Sequence, residues 1–162
     1  MRTQSTTILA VSAALLVGFG GVAHGQIASL QAGVTPLEYE SEFEVGARFS
    51  PHGHAGLEFS IDIYPKYIMT GTLVGVADAS FAANVQLGPV AIEPRVGGSL
   101  LGVVGTGGVV DADGWSGGVG IVLTIDSRTV LRADYTYRRL VVGEGDEAYP
   151  FPSLTAGFVI HH

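Results

Sequence analysis

The sequence predicts an all-β fold: an eight-stranded antiparallel up-and-down transmembrane β-barrel, preceded by a cleavable signal peptide. Three observations predict it. Apolar and polar residues alternate with a period of two along most of the chain. Charged residues make up only 14% of the 162 residues, and 24 glycines with 7 prolines disfavour helices. The pattern is clearest in residues 114–162, which form a predicted β meander.

The first 25 residues predict export. A polar start is followed by an apolar run from Ile8 to Val22, and small residues occupy the minus-three and minus-one positions before Gln26. The run is short for a membrane-spanning helix and is interrupted by glycines, which disfavours a retained anchor. We therefore predict a signal peptide over residues 1–25 and a barrel domain over residues 26–162.

Eight alternating runs follow the signal peptide. In the second, Phe43 and Val45 share one face, while Glu42 and Glu44 share the other, which is typical of a strand. The predicted strands run from about Ile27 to Thr35, Tyr39 to Phe49, Ala55 to Tyr64, Ala77 to Leu87 and Val90 to Leu101, followed by three strands of the meander between Gly114 and Ile160.

Turn signals separate these strands. Short turns are predicted at Pro36-Leu37, Ser50 to Gly53, Gly88-Pro89 and Asp126 to Arg128, and longer connections at Pro65 to Val76, at Gly102 to Gly114 and around Glu144 to Glu147. Short turns at one end and longer loops at the other are typical of an outer-membrane barrel. Pro94 lies inside the fifth strand and predicts a bulge there.

Two orientations of such a barrel remain open. A soluble barrel would turn its apolar face inward around an apolar ligand, as lipocalins do, whereas a transmembrane barrel turns that face to lipid. Lys66 is the single lysine, which disfavours a solvated outer face and favours the membrane. Acids and arginines are mixed on the polar face, and the lumen of an eight-stranded barrel has room only for side chains. We therefore predict a structural interior network of Glu40, Glu42, Glu44, Arg48, Glu58, Asp62, Glu93, Arg95, Arg132, Asp134 and Arg138.

Aromatic residues near the predicted strand ends fit the interfacial girdles of a membrane protein. These are Tyr39, Phe49, Tyr64, Tyr67, Trp115, Tyr137 and Phe158.

The chemistry of a catalytic or metal site is not evident. A hydrolase would need serine, histidine and acid to converge near the outer rim. The histidines are instead His24 in the signal peptide, His52 and His54 at a predicted turn, and His161 and His162 at the end of the chain. We predict no enzyme, no catalytic or metal-binding residue and no cofactor. A net charge of −7 without a basic stripe also excludes a nucleic-acid partner.

Four motifs carry a family resemblance. They are Leu87 to Val90 ahead of Pro94 to Gly98, then Gly117 to Gly120, Leu131 to Arg138 and Ser153 to Phe158. In this order they resemble the small eight-stranded outer-membrane barrels of Gram-negative bacteria, the OmpA-type transmembrane barrel. Members usually end in an aromatic residue that the assembly machinery reads, whereas this sequence has His162 at that position.

The resemblance implies a location in the outer membrane, with the surrounding lipid and the barrel assembly machinery as partners and an extracellular ligand reached through the loops. The expected function is that of a non-enzymatic integral outer-membrane protein with a plugged polar interior and a structural or surface-interaction role. Two alternatives stay open: a soluble periplasmic lipocalin-like binder of an apolar ligand, and a lipid-modifying outer-membrane enzyme.

Overall fold

The chain forms a closed antiparallel β-barrel in a computed structural model. The structure describes residues 26–36, 41–51, 53–68, 71–105, 108–126, 129–142 and 148–160. The predicted signal peptide, the acidic connection around Glu144 and the C-terminal histidines lie outside the described residues.

Nine strand segments make up the wall. They are β1 (Gln26–Pro36), β2 (Ser41–Pro51), β3 (Ala55–Ile63), β4 (Leu73–Ala83), β5 (Val85–Leu87), β6 (Val90–Gly105), β7 (Gly108–Thr124), β8 (Val130–Val142) and β9 (Ala148–Ile160). Because β4 and β5 both pair with β6, they form one interrupted strand, and the barrel has eight strands. A short helix, α1 (Pro65–Ile68), connects β3 to β4. No helix in the described part of the chain is long and apolar enough to cross a membrane.

The topology is up-and-down, as predicted. Each strand pairs antiparallel with the next in sequence. The barrel closes between its first and last strands, where β1 pairs with β9 from Ala28 opposite Ile160 to Val34 opposite Leu154. Among the described segments, only β5 then has a neighbour on one side alone. Closure of this kind is a requirement for a sheet surrounded by lipid.

The two ends of the barrel differ. Gln26 and Ile160 lie at the same end as the connections from β2 to β3, from β5 to β6 and from β7 to β8, and we call this the turn end. The other connections lie at the opposite end, the loop end, where α1 is found.

The long Gly102 to Gly114 loop predicted from the sequence is wrong. These residues extend β6 and β7, which pair up to Gly105 opposite Gly108, so only residues 106–107 separate the two strands. Glycines made the segment read as a loop, but glycine backbones pair in a hairpin as other residues do. The predicted connection up to Val76 is likewise too long, because β4 begins at Leu73.

The bulge predicted at Pro94 is also wrong. Pro94 pairs with Val119 of β7 in an unbroken register. On the other edge of β6, pairing stops after Ala82 and resumes at Val85 without a shift in register. Proline has no amide hydrogen to donate, so the sheet loses pairing here but not alignment.

Side-chain burial is inverted relative to a water-soluble protein. Along β8, Arg132, Asp134 and Arg138 are buried in the lumen, and the alternating residues face outward. Arg138 is 0% exposed, whereas Phe158 on the outer surface is 65% exposed. The apolar phase therefore lies outside and the polar phase inside, which is the predicted orientation.

Candidate functional site

The candidate site is the polar lumen, which we describe from the turn end to the loop end. The turn-side cluster, as we call it, consists of three arginines and three acids, all buried and all on inward positions: Arg48, Glu58, Glu93, Arg95, Arg132 and Asp134. They come from four strands, β2, β3, β6 and β8, each within a few residues of the turn end. Period-two alternation is what places all six side chains inside.

Asp134 and Glu58 are the two anions at the centre of the turn-side cluster. Asp134 accepts hydrogen bonds from Nη1 of Arg95 at 2.6 Å and from Nε of Arg132 at 2.7 Å. Glu58 accepts from Nη1 of Arg48 at 2.5 Å and from Nη2 of Arg132 at 3.2 Å. Each guanidinium therefore contacts a carboxylate on a different strand, and the opposite charges are matched in number.

Arg132 extends the cluster toward the turn end. Its Nη1 lies 2.7 Å from Oε2 of Glu93 and donates to the Ser50 hydroxyl at 2.8 Å. The other Glu93 oxygen accepts a hydrogen bond from the Asn84 amide at 2.8 Å. Asn84 lies in the gap between β4 and β5, so its side chain ties this interrupted strand to β6 where backbone pairing is missing.

The centre of the lumen is organised by Arg138. Its Nη2 lies 2.7 Å from Asp62 on β3 and 2.6 Å from Asp78 on β4, across the barrel from β8. Asp78 also accepts hydrogen bonds from the hydroxyls of Ser60 and Ser99. One guanidinium therefore links β8 to β3 and β4, two strands with which β8 has no backbone pairing. We call Arg138, Asp62 and Asp78 the Arg138 layer.

The next layer toward the loop end is built on Glu44, which hydroxyl groups hold, and we call it the Glu44–Tyr64 layer. Glu44 accepts hydrogen bonds from Thr35 at 3.0 Å, from Tyr64 at 3.0 Å and from Ser153. The Tyr64 ring packs edge-on against Phe151 with centroids 5.9 Å apart. Burial, followed by the Glu44 carboxylate, raises the pKa of the Tyr64 phenol, so this group stays protonated and remains a hydrogen-bond donor.

The loop end of the lumen carries a half-exposed ion pair. Nζ of Lys66 on α1 lies 2.7 Å from Oε1 of Glu42 on β2, and the Tyr67 hydroxyl donates to the same oxygen at 3.2 Å. The single lysine of the sequence therefore fixes α1 over the loop end.

The structure places every described member of the predicted interior network in the lumen. Glu42, Glu44, Arg48, Glu58, Asp62, Glu93, Arg95, Arg132, Asp134 and Arg138 are all buried there, and Glu40 lies outside the described residues. Asp78 was missed, although it lies two residues before Ser80 and shares its inward phase. Tyr64, predicted for an interfacial girdle, instead points into the lumen because it follows β3 on the inward phase.

No constellation for catalysis or metal binding is present in the described ranges. No group of three or more histidine, cysteine or acidic residues there has the geometry to hold a metal ion. His54 is exposed in the turn between β2 and β3. The other four histidines lie outside the described residues.

Several solved structures share this fold. The N-terminal β-barrel domain of Pseudomonas aeruginosa OprF is similar with a TM-score of 0.57 and 11% identity, covering 85% of this chain and 100% of that one. Neisserial surface protein A (NspA) is similar with a TM-score of 0.54 and 15% identity, covering 83% of this chain and 94% of that one. No model of a known protein family matches the sequence, and no curated protein matches it.

These similarities are structural, at sequence identities that establish the fold alone. The closed eight-stranded antiparallel barrel that the sequence predicted, and its resemblance to small outer-membrane barrels, are confirmed at the level of the fold. Most of the described barrel takes part, since each similarity covers more than four fifths of the chain.

Proposed function

We propose that this protein is a non-enzymatic integral outer-membrane barrel with a structural or surface-interaction role. The observation that carries the proposal is the inverted burial of the wall. Four arginines are buried inside, whereas large apolar side chains such as Leu57, Val96 and Phe158 are each more than half exposed outside. An exposed apolar surface of this extent needs a nonaqueous surrounding.

The lumen supports a structural rather than a transport role. An eight-stranded barrel has an interior that side chains can fill, and here they do so in successive layers. The turn-side cluster, the Arg138 layer and the Glu44–Tyr64 layer each join several strands. The polar interior therefore acts as a plug that fixes strand register, and the loop end is left as the surface for interaction.

The burial pattern disfavours the first alternative. A lipocalin-like carrier of an apolar ligand needs an apolar cavity inside the barrel. Here the inward positions of the strands carry arginines, acids and hydroxyl residues. An apolar ligand in this lumen would separate the buried charges from their partners, at a large cost in free energy.

The second alternative, a lipid-modifying enzyme, lacks an observation that favours it. The described histidine, His54, is at the turn end, on the opposite side of the barrel from the outer rim where such chemistry would occur. The proposal therefore assigns no catalytic residue and no cofactor.

Export and assembly belong to the same proposal. Residues 1–25 direct the chain to the cell envelope and are removed, the assembly machinery inserts the barrel, and the loop end faces outward, where an extracellular ligand can reach it. N-terminal sequencing of the mature protein tests the first step, and it should begin at Gln26.

The central experiment is fractionation of the expressed protein with comparison of boiled and unboiled samples on a gel. We expect it in the outer-membrane fraction, with faster migration when unboiled, because a closed barrel stays compact in detergent until it is heated. Recovery as a soluble periplasmic protein without this shift would overturn the proposal.

A further inference from the structure

The outer surface of the barrel carries a groove about midway between its two ends. Its volume is about 410 Å³, and it crosses β3, β4 and β6. Small side chains at Ala77, Ala79 and Gly98 form the floor, and the larger side chains of Phe59 and Leu100 border it. All five positions belong to the outward phase of their strands, so the groove opens to the surroundings of the barrel and not to the lumen.

One end of the groove is charged. Asp113 lines it and is exposed, and Arg139 is exposed on the neighbouring strand β8. They are the charged residues among the outward strand positions whose side chains the structure describes. Asp113 pairs with Val141 and Arg139 pairs with Trp115, so the two charges are diagonal neighbours on one face, about 7–8 Å apart.

The position of this pair along the strands indicates its depth. Val141, the partner of Asp113, is one residue from the end of β8 at the loop end. Trp115 is 51% exposed beside it, and its ring lies 5.8 Å from that of Tyr137. Aromatic residues of this kind mark the membrane–water interface, where a charge on the lipid face of a barrel costs little. The pair is therefore at headgroup level, and the groove leads from it toward the apolar part of the wall.

We propose that Arg139, Asp113 and the groove together bind one phosphatidylethanolamine molecule. A guanidinium pairs with phosphate, and a carboxylate accepts hydrogen bonds from a primary ammonium. A phosphoethanolamine headgroup presents these two groups side by side, with charges opposite to those of Arg139 and Asp113. One acyl chain then lies over Ala79 and Gly98, where the wall has no large side chain. The inference rests on the proposed function only in requiring that the barrel lie in a membrane.

Native mass spectrometry of the folded full barrel, released from detergent, tests the proposal. Equal amounts of phosphatidylethanolamine, phosphatidylcholine and phosphatidylglycerol are added, and the retained lipid is counted. We expect at least fivefold more phosphatidylethanolamine than either competitor, because the quaternary ammonium of choline has no N–H to donate to Asp113 and glycerol has no positive charge. Equal retention of the three lipids would overturn the inference.

Variants separate the headgroup from the groove. Asp113→Asn should abolish the preference over phosphatidylcholine, and Arg139→Gln should weaken retention of all three lipids. Ala79→Leu fills the floor of the groove and should lower retention severalfold. Ala133→Leu makes the same change on an exposed outward position of β8 away from the groove, and it should leave retention unchanged.

Two further outcomes are decisive. If Asp113→Asn does not alter the retention of lipid, the proposed site is overturned. Displacement of the phospholipid by lipopolysaccharide would also overturn it, because it would identify a different source of phosphate. The gel shift on heating is recorded for every variant. If the wild-type protein shows the shift but no lipid preference, this inference fails and the proposed function stands, whereas loss of the shift in the wild type contradicts the proposed function itself.

Discussion

Gly120 on β7 lies directly opposite Asp134 on β8, and a methyl group at Gly120 would come within 2.6 Å of the Asp134 carboxylate. The same methyl group would lie 3.0 Å from Nη2 of Arg132 and 3.2 Å from Nη1 of Arg95. Because Gly120 has no side chain, the side chains of the turn-side cluster have room to come together beside it. A side chain is also excluded at Gly118, where a methyl group would clash with the Tyr135 carbonyl oxygen and lie 3.1 Å from Nε of Arg95.

Replacing Gly120 should destabilise the barrel. We expect Gly120→Ala to lower the free energy of unfolding by about 1–3 kcal/mol, because the added methyl group overpacks the buried ion pairs. Urea denaturation of the refolded protein in detergent measures it. Gly117→Ala on the same strand is the matched control, since its methyl group meets neighbouring atoms only at 3.8 Å or more. Equal effects of the two substitutions would contradict this account.

Within the Arg138 layer, substitution of Arg138 should lower the stability of the barrel most. Arg138→Met leaves Asp62 and Asp78 buried without a cation, and we expect a loss of about 3–5 kcal/mol. Adding Asp62→Asn and Asp78→Asn removes the unpaired charges and should recover part of that loss. Unfolding measurements on the single and triple variants check this. A triple variant less stable than Arg138→Met would show that the carboxylates are stabilised by something other than Arg138.

The phase of each strand could be predicted from the sequence, because alternation by two depends only on local chain geometry. This is why the predicted lumen residues from Glu42 to Arg138 are found inside. Asp78 has the same signal, two residues from Ser80, and was overlooked in a strand whose other buried inward positions are Val76, Ser80 and Ala82. Tyr64 was assigned by residue type rather than by phase, and its phase places it inside.

The pairing of charges could not be predicted. Arg138 contacts Asp62 and Asp78 across the lumen, although these residues are 76 and 60 positions away in the sequence. Such contacts depend on the stagger of all eight strands, which small differences in each hairpin determine together. The extent of β6 and β7 was missed for another reason, since the glycines between Gly102 and Gly114 conceal a hairpin whose backbone pairs throughout.

A charge on the outer wall should be costly only at membrane depth. Val96 is 64% exposed on the outward face of β6, between Phe81 and Gly117 of the neighbouring strands. We expect Val96→Arg to destabilise the barrel in lipid vesicles by about 2–4 kcal/mol. Ile125→Arg is the control, because Ile125 continues the outward phase of β7 and is 57% exposed at the turn end. If Val96→Arg were neutral, the outer wall would face water, as in the soluble alternative.

The layered lumen should not conduct ions. In a planar lipid bilayer we expect the wild-type protein to insert without discrete current steps, because the turn-side cluster, the Arg138 layer and the Glu44–Tyr64 layer lie in series. Tyr64→Ala removes the ring that packs on Phe151 and the hydroxyl that binds Glu44, but it leaves the other two layers in place. It should therefore remain silent as well. Stable current steps from the wild type would contradict a plugged interior. Steps from Tyr64→Ala alone would show that the Glu44–Tyr64 layer is the barrier and that ions pass the turn-side cluster and the Arg138 layer.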